Sequence, residues 1–150
     1  AKSKGLLICE EMLAAVCDEV HVATNDGSYG RQGMVSDVLQ GLLDRGERIA
    51  LVYPVGPPIM MKVIAQMTMP LKLKTIVSLN SVMVDGTGMC GSCRVTVAGK
   101  TRFVCSEGID FDGHEVDWEE MMMRQKMYGA PETEALAHYH EHGACRGGVR

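Results

Sequence analysis

The sequence lacks the features that would place it in a membrane or on a nucleic acid. No apolar run comes near the roughly 18 residues that a spanning helix needs, so no membrane span is expected. The formal net charge is −4, and lysine and arginine are interspersed with acids, so no nucleic-acid footprint is indicated. The apolar run from Leu6 to Cys9 is too short for a signal peptide. We therefore predict a cytoplasmic protein whose cysteines are kept reduced.

Common motifs for phosphates and metals are also missing. No G-x-G-x-x-G or G-G-x-G opens a βαβ unit, so the usual first part of a dinucleotide site is absent from this sequence. There is no second C-x2-C, which a zinc ribbon would repeat. Asp110 and Asp112 lack the spacing of an EF-hand and are interpreted as turn formers in an irregular segment.

One group of ligand-type residues stands out against these absences. Asp85, Cys90, Cys93 and Cys105 follow the spacing D-x4-C-x2-C-x11-C. Plant-type two-iron clusters are held by C-x4-C-x2-C and a distant fourth cysteine, so this chain has that spacing with aspartate in the first position. The glycines between these residues let the backbone curl, because glycine adopts positive φ without steric cost. Thiolates favour iron–sulfur, zinc or copper(I) sites over magnesium or calcium.

Three other interpretations of these cysteines stay open from spacing alone. Cys90 and Cys93 could be half of a structural zinc site. They could be a redox dithiol, although that motif opens a helix in a βαβ unit, whereas this one lies between a strand and a hairpin. The thiols could also be unrelated buried side chains. Metal analysis distinguishes a zinc site from an iron–sulfur cluster, since zinc comes without acid-labile sulfide.

Hydrophobic periodicity predicts an α/β fold in the first half of the chain. Helices are expected over residues 4–17, 34–43 and 59–69. Strands are expected over residues 19–24, 48–53 and 75–79. The alternation favours a partial, doubly wound parallel sheet with helices on its faces. Ligands bind at the carboxyl ends of such strands, here the loops 24–33 and 54–60.

A small hairpin and two helices are predicted in the second half. Residues 93–98 alternate apolar and polar side chains, and residues 101–105 form the return strand, which brings Cys105 back beside the ligand loop. Helices are expected over 118–127, with Asp117 as its N-cap, and over 131–142. The last helix carries an H-x-H-x-H-x2-C tract, formed by His138, His140, His142 and Cys145. Positions two apart on a helix face different ways, so an exposed helix is a plainer interpretation of this tract than a metal site.

The residues around the cysteines carry a family resemblance. Residues 81–97, S-V-M-V-D-G-T-G-M-C-G-S-C-R-V-T-V, resemble the two-iron segment of the small subunit of NADH-dependent reduced ferredoxin:NADP oxidoreductase. That family is also known as the sulfide dehydrogenase or cytosolic hydrogenase gamma-type subunit. The segment is similar, more distantly, to the electron-transfer subunit of dihydroorotate dehydrogenase B, which has cysteine at the first ligand position. One aspartate and three cysteines hold the cluster in the first family, so the resemblance implies that Asp85, Cys90, Cys93 and Cys105 are [2Fe–2S] ligands.

Two loops resemble the later nucleotide-binding segments of the ferredoxin–NADP reductase superfamily. They are A-T-N-D-G-S-Y-G at residues 23–30 and G-P-P-I-M-M at residues 56–61. The superfamily's usual Cys-Gly-Pro has Val55 in its first position here, so hydride-step geometry cannot be carried over from reductases with that cysteine. The alternative for residues 23–30 is a solvent-exposed loop, and the alternative for residues 56–61 is simply the start of a helix. The resemblance implies an NAD(P)-binding set of Thr24, Asp26, Gly27, Gly30, Gly56, Pro57 and Met60.

The same resemblance suggests how the chain is organised. The superfamily's Gly-rich pyrophosphate loop and its flavin-binding β-barrel, with Arg-x-Tyr-Ser/Thr, are not found, so we expect a C-terminal piece of a subunit about twice this length. Residues 1–79 would be the C-terminal part of an NAD(P)-binding reductase domain. Residues 80–113 would be a [2Fe–2S] subdomain, and residues 114–150 a helical segment.

The activity that the resemblance implies belongs to a larger assembly. A reduced nicotinamide nucleotide would pass a hydride to FAD, and the two-iron cluster would carry single electrons to a larger subunit with flavin and four-iron clusters, with ferredoxin as a further partner. No catalytic side chain is assigned, and the fragment alone is expected to be inactive. The alternatives are an electron-transfer subunit of dihydroorotate dehydrogenase and a non-catalytic, zinc-stabilised interaction module.

Overall fold

The computed structural model describes residues 1–142 of the chain. The chain divides into two compact units, and the boundary along the sequence falls between Ala50 and Leu51. The domain boundaries expected after residues 79 and 113 stay predictions. No helix among the described residues is both long and apolar enough to cross a bilayer.

The first unit contains short helices and one parallel pair of strands. Its elements are α1 (Glu10–Ala14), β1 (Ala23–Thr24), β2 (Arg31–Gln32) and α2 (Val35–Asp44). The helix expected over 4–17 is broken into a 3-10 turn, Lys4–Leu6, and α1. The strand expected over 19–24 is reduced to β1, which pairs in parallel with β2.

Helix α2, expected over residues 34–43, is capped at both ends. The Asp37 carboxylate accepts the Met34 backbone N–H at 2.7 Å, which satisfies one of the unpaired donors of the first turn. At the other end, Gly46 adopts φ 73° and donates its N–H to the Leu43 carbonyl at 2.9 Å. This is the left-handed C′ conformation that glycine allows.

The second unit mixes helices with two antiparallel strand pairs. Its elements are α3 (Pro58–Thr68), β3 (Ile76–Ser78), β4 (Arg94–Val97), β5 (Lys100–Phe103), α4 (Val104–Glu107), β6 (Asp110–Asp112), α5 (Trp118–Gln125) and α6 (Gly129–His142). Strands β4 and β5 form the expected hairpin, and the Asp117 carboxylate caps α5 by accepting the Glu120 N–H at 2.9 Å. The predicted α/β class, the hairpin and the C-terminal helices are confirmed.

Parallel pairing is sparse in the described residues. Besides β1 and β2 it comprises one bridge, between Val52 and Thr75, in which the Val52 N–H donates to the Lys74 carbonyl at 2.9 Å. The expected strand over 48–53 is reduced to this bridge. Leu51 and Tyr53 are 46% and 47% exposed, so the apolar run is not buried on both faces as predicted.

Strand β6 was not predicted from the sequence. Residues 108–113 are expected to be irregular, but β6 pairs antiparallel with β3, and Val77 lies opposite Phe111. Phe111 packs against the core, whereas Asp110 and Asp112 on either side of it are exposed. The acids therefore mark the outward face of a short strand instead of a turn.

One apolar core organises the second unit. Helices α3, α4 and α5, strands β3 and β4, and residues flanking these elements contribute its buried members. These are Met61, Ala65, Val77, Leu79, Cys93, Val95, Val97, Val104, Val116, Trp118 and Met121. Cys93 therefore belongs to the core, and Cys105 packs against it from a partly buried position. The ligand loop is therefore attached directly to this core.

Helix α6 is exposed over residues 130–141. Leu136 and Tyr139 are 57% and 51% exposed. His138, His140 and His142 lie on this helix, and Cys145 lies outside the described residues. The exposed helix agrees with the plainer interpretation of the histidine tract.

Candidate metal centre

The hairpin brings two of the four predicted ligands together. Cys93 directly precedes β4, and Cys105 follows β5. The Val104 N–H donates to the Cys93 carbonyl at 3.3 Å, which extends the hairpin register by one step. As a result the Cys93 and Cys105 sulfurs lie 3.2 Å apart. Cys105 lies in α4 and not in the return strand, because the chain turns helical at Val104.

The other two ligands are joined by the loop itself. One oxygen of Asp85 accepts the Thr87 N–H at 2.9 Å, and the other accepts the Cys90 N–H at 3.0 Å. Gly86 and Gly88 adopt φ of 76° and 83°, as a tight curl requires. The N–H of Thr87 is the main reason that the pKa of Asp85 lies below its usual range. Asp85 is thus held as an exposed carboxylate over the loop.

Backbone N–H groups also point at the sulfurs. The Ser92 N–H lies 3.5 Å from the Cys90 sulfur, and the Cys105 N–H lies 3.5 Å from the Cys93 sulfur. Hydrogen bonds from Ser92 lower the pKa of the Cys90 thiol. In contrast, the hydrogen bond with Cys93 raises the pKa of Cys105. Two thiolates this close repel each other, so the pair calls for a shared proton or a cation.

These four residues fit an iron–sulfur cluster by donor chemistry and by pairing. Among residues 1–142, no three histidine, cysteine or acidic side chains are already grouped closely enough to hold a metal. The structure gives two pairs instead, Cys93 with Cys105 and Asp85 with the backbone of Cys90. Three thiols and a carboxylate, with backbone N–H donors directed at sulfur, are the groups that such a cluster uses.

A set of polar side chains that the sequence reasoning missed fixes the loop from outside. Arg124 of α5 donates to the Ser92 carbonyl at 3.0 Å, and Gln125 donates to the Asn80 carbonyl at 3.0 Å. In addition, Arg94 donates to the Gly91 carbonyl at 3.1 Å. The only sequence signal for the first two is the polar R-Q pair that closes a methionine-rich helix.

A cleft of about 230 Å³ opens beside this loop. Its wall includes Cys90, Ser92, Arg94, Met121, Arg124 and Tyr128. The cleft is therefore lined by a predicted ligand, two guanidinium groups and apolar side chains.

The predicted nucleotide residues of the first unit form one compact loop. Thr24 is buried, and its hydroxyl donates to the Tyr29 carbonyl at 2.7 Å. The Asp26 carboxylate accepts the Ser28 hydroxyl at 2.6 Å, and this bond is the main cause of its lowered pKa. Gly27 and Gly30 have φ of 71° and 66°. A Cβ on Gly30 would lie 2.3 Å from the Val22 carbonyl oxygen, so only glycine fits there.

The remaining nucleotide candidates start α3 in the second unit. Pro57 is the N-cap of the helix, and its carbonyl accepts the Met60 N–H at 2.9 Å. Gly56 leaves room for the methyl of Met60, which a Cβ would approach to 2.8 Å. The structure thus groups the candidates within each unit, and their role in nucleotide binding stays a prediction.

Comparison with known proteins matches the segment that contains the site. Residues 80–117 match the model of the iron–sulfur cluster binding domain of dihydroorotate dehydrogenase B. All four predicted ligands lie inside that range.

Relatives match almost the whole chain. An uncharacterised protein from the adh 3′ region of Clostridium beijerinckii is 44% identical over 97% of this chain and 51% of its own length. A homolog of the dihydroorotate dehydrogenase B electron transfer subunit from Thermotoga maritima is 42% identical over 85% of this chain and 45% of its own. The chain spans about half the length of the curated relatives it matches.

A solved structure matches the fold as well as the sequence. It comes from work on flavin-based electron bifurcation by NADH-dependent reduced ferredoxin–NADP oxidoreductase. The TM-score is 0.81 at 38% identity, over 93% of this chain and 50% of the matched one.

Proposed function

Because the chain belongs to the iron–sulfur electron-transfer subunits of the ferredoxin–NADP reductase superfamily, we propose that it holds a [2Fe–2S] cluster through Asp85, Cys90, Cys93 and Cys105. The observation that carries the proposal is the 3.2 Å approach of the Cys93 and Cys105 sulfurs at the edge of the core. Asp85 and Cys90 would close the site from the glycine-rich loop. When bound, the cluster supplies one-electron redox chemistry.

The residues of this chain would hold and tune that group. The N–H groups of Ser92 and Cys105 point at sulfur, and such bonds favour added negative charge on a cluster. Arg124 and Gln125 fix the loop carbonyls, so the ligands stay in position as the charge changes. Burial of Cys93 keeps water from one side of the site.

The wider activity is proposed on the same family grounds. Electrons would come from a reduced nicotinamide nucleotide through FAD and pass to a larger subunit with flavin and iron–sulfur clusters, or to ferredoxin, in a reducing cytoplasm. Thr24, Asp26, Gly27 and Gly30 would bind one part of the nucleotide, and Gly56, Pro57 and Met60 another. The chain would then be part of an NAD(P)H-dependent oxidoreductase.

Metal content is the direct test. Anaerobically purified protein is expected to contain about two irons and two acid-labile sulfides per chain, with a rhombic EPR signal after dithionite reduction. Stoichiometric zinc without sulfide would overturn the proposal and favour the zinc-stabilised module. Protein without iron or sulfide after anaerobic reconstitution would also count against it.

Asp85→Cys tests the unusual ligand. A carboxylate is a harder donor than a thiolate, so this variant is expected to keep its cluster and to change its reduction equilibrium by about tenfold, or about 59 mV for one electron. Redox titration followed by EPR measures the shift. Asp18→Cys adds an exposed cysteine in the first unit and should leave the midpoint unchanged. If Asp85→Cys and Asp85→Asn both kept the parent potential and line shape, Asp85 would only cap the loop.

Dihydroorotate dehydrogenase B is a second candidate complex. The match over residues 80–117 favours it, whereas aspartate in place of the first cysteine argues against it. Co-purification with a dihydroorotate dehydrogenase would support this role, and co-purification with a larger flavin and iron–sulfur subunit would support the first.

A further inference from the structure

Two arginines beside the ligand loop have no acidic partner. Arg94 of β4 and Arg124 of α5 line the same cleft, and neither lies within 4.0 Å of a carboxylate among residues 1–142. By contrast Arg45, Lys62 and Arg102 each pair with a glutamate. Several other cations among residues 1–142 also have no acidic partner; Arg94 and Arg124 differ from them because both line one cleft beside the ligand loop.

The hydrogen bonds of these arginines to loop carbonyls use only part of their donor capacity. Each guanidinium has five N–H donors in a planar fork. Arg94 uses one toward the Gly91 carbonyl and Arg124 uses one toward the Ser92 carbonyl. The other donors are available to an incoming carboxylate, which a guanidinium binds through two parallel hydrogen bonds.

The apolar part of the cleft lining suits a protein segment better than a free ion. Val82, Met121, Met127 and Tyr128 supply apolar surface around the two cations. Met127 and Tyr128 are 55% and 43% exposed. Apolar contact surrounded by oriented charge is typical of a protein interface, in which the charges set orientation and association rate.

We propose that this cleft is the docking surface for an acidic segment of the one-electron partner protein, bound through the unpaired Arg94 and Arg124 beside Cys90. The inference rests on the proposed electron-transfer role. The chain is acidic as a whole, so the two arginines give an acidic partner a locally favourable charge at this face. Docking there places the partner against a wall that includes a proposed ligand.

The test uses a blocked tetraglutamate peptide as the probe and the full chain at low ionic strength, about 20 mM, where charge interactions are weakly screened. In ¹⁵N NMR titration the largest shifts are expected at Ser92, Arg94, Arg124 and Gln125. A tetralysine peptide should not shift them. Shifts scattered over the surface, or equal shifts with tetralysine, would overturn the docking surface.

Charge-matched variants complete the test. Arg94→Gln/Arg124→Gln keeps an N–H donor for each carbonyl but removes both charges, and should weaken tetraglutamate binding at least about tenfold. Lys74→Gln/Lys100→Gln removes two charges from elsewhere on the same unit and should change binding less than about twofold. Arg94→Lys/Arg124→Lys should restore most of the affinity. If Arg94→Gln/Arg124→Gln bound tetraglutamate as tightly as Lys74→Gln/Lys100→Gln, the proposal would be contradicted.

The titration needs no iron. A chain without cluster would contradict the proposed function and leave the peptide result standing. A chain with cluster whose arginines do not bind tetraglutamate would contradict only the docking surface.

Discussion

Cys93→Ala is expected to reduce the iron content of the chain from about two atoms to near zero, because the four-ligand site loses the sulfur nearest to Cys105. Iron and acid-labile sulfide assays after anaerobic reconstitution measure the loss. The EPR signal of the reduced protein should disappear with the iron.

Loss of a ligand must be distinguished from a general loss of structure, since Cys93 is a core residue and is 2% exposed. Cys90→Ala makes this distinction. Cys90 is exposed, so its truncation leaves no buried cavity, and the variant should also lose its iron. Cys9→Ala and Cys17→Ala are the matched controls, since both are exposed thiols of the first unit. Full iron in Cys90→Ala, or a similar loss in the Cys9 variant, would exclude the proposed ligand set.

Met61→Ala is expected to lower the free energy of unfolding of the second unit by about 2–5 kcal/mol. Met61 is fully buried in α3 and belongs to the core that also contains Cys93 and Trp118. Truncation removes transfer free energy and leaves a cavity. Urea unfolding of the cluster-free chain, followed by fluorescence, measures the change, since Trp118 is the only tryptophan and reports on this core.

Met123→Ala is the matched control, because the same side chain is 68% exposed in α5. It should change the unfolding free energy by less than about 0.5 kcal/mol. Equal effects of the two substitutions would mean that the core does not lie where the structure puts it. A change in the urea slope for Met61→Ala would instead indicate that unfolding is no longer two-state.

The elements that the sequence predicts well are those with local signals. Helix α3 begins at a proline, α2 ends before Gly46 and α5 begins after Asp117, so caps and periodicity suffice. The β4–β5 hairpin follows from alternation and a Gly-Lys turn. The ligand spacing and the two loops carried the family resemblance.

The missed features depend on partners that are distant in sequence. Phe111 makes β6 a strand only because β3 is available to pair with it. The run 48–53 is apolar enough for a buried strand, but periodicity does not say how many neighbours it finds, and it makes one bridge at Val52. Likewise, the contacts of Arg124 and Gln125 with carbonyls 32 and 45 residues away leave no local pattern.

Those two contacts also affect the order in which the protein matures. Arg124 and Gln125 fasten Ser92 and Asn80, the two ends of the segment that carries Asp85 and Cys90, to one helix. The entropy of closing this segment is therefore lost when the polypeptide folds and not when iron arrives. We expect folding to precede metallation, with cluster insertion needing only a local tightening of a loop whose ends are already fixed.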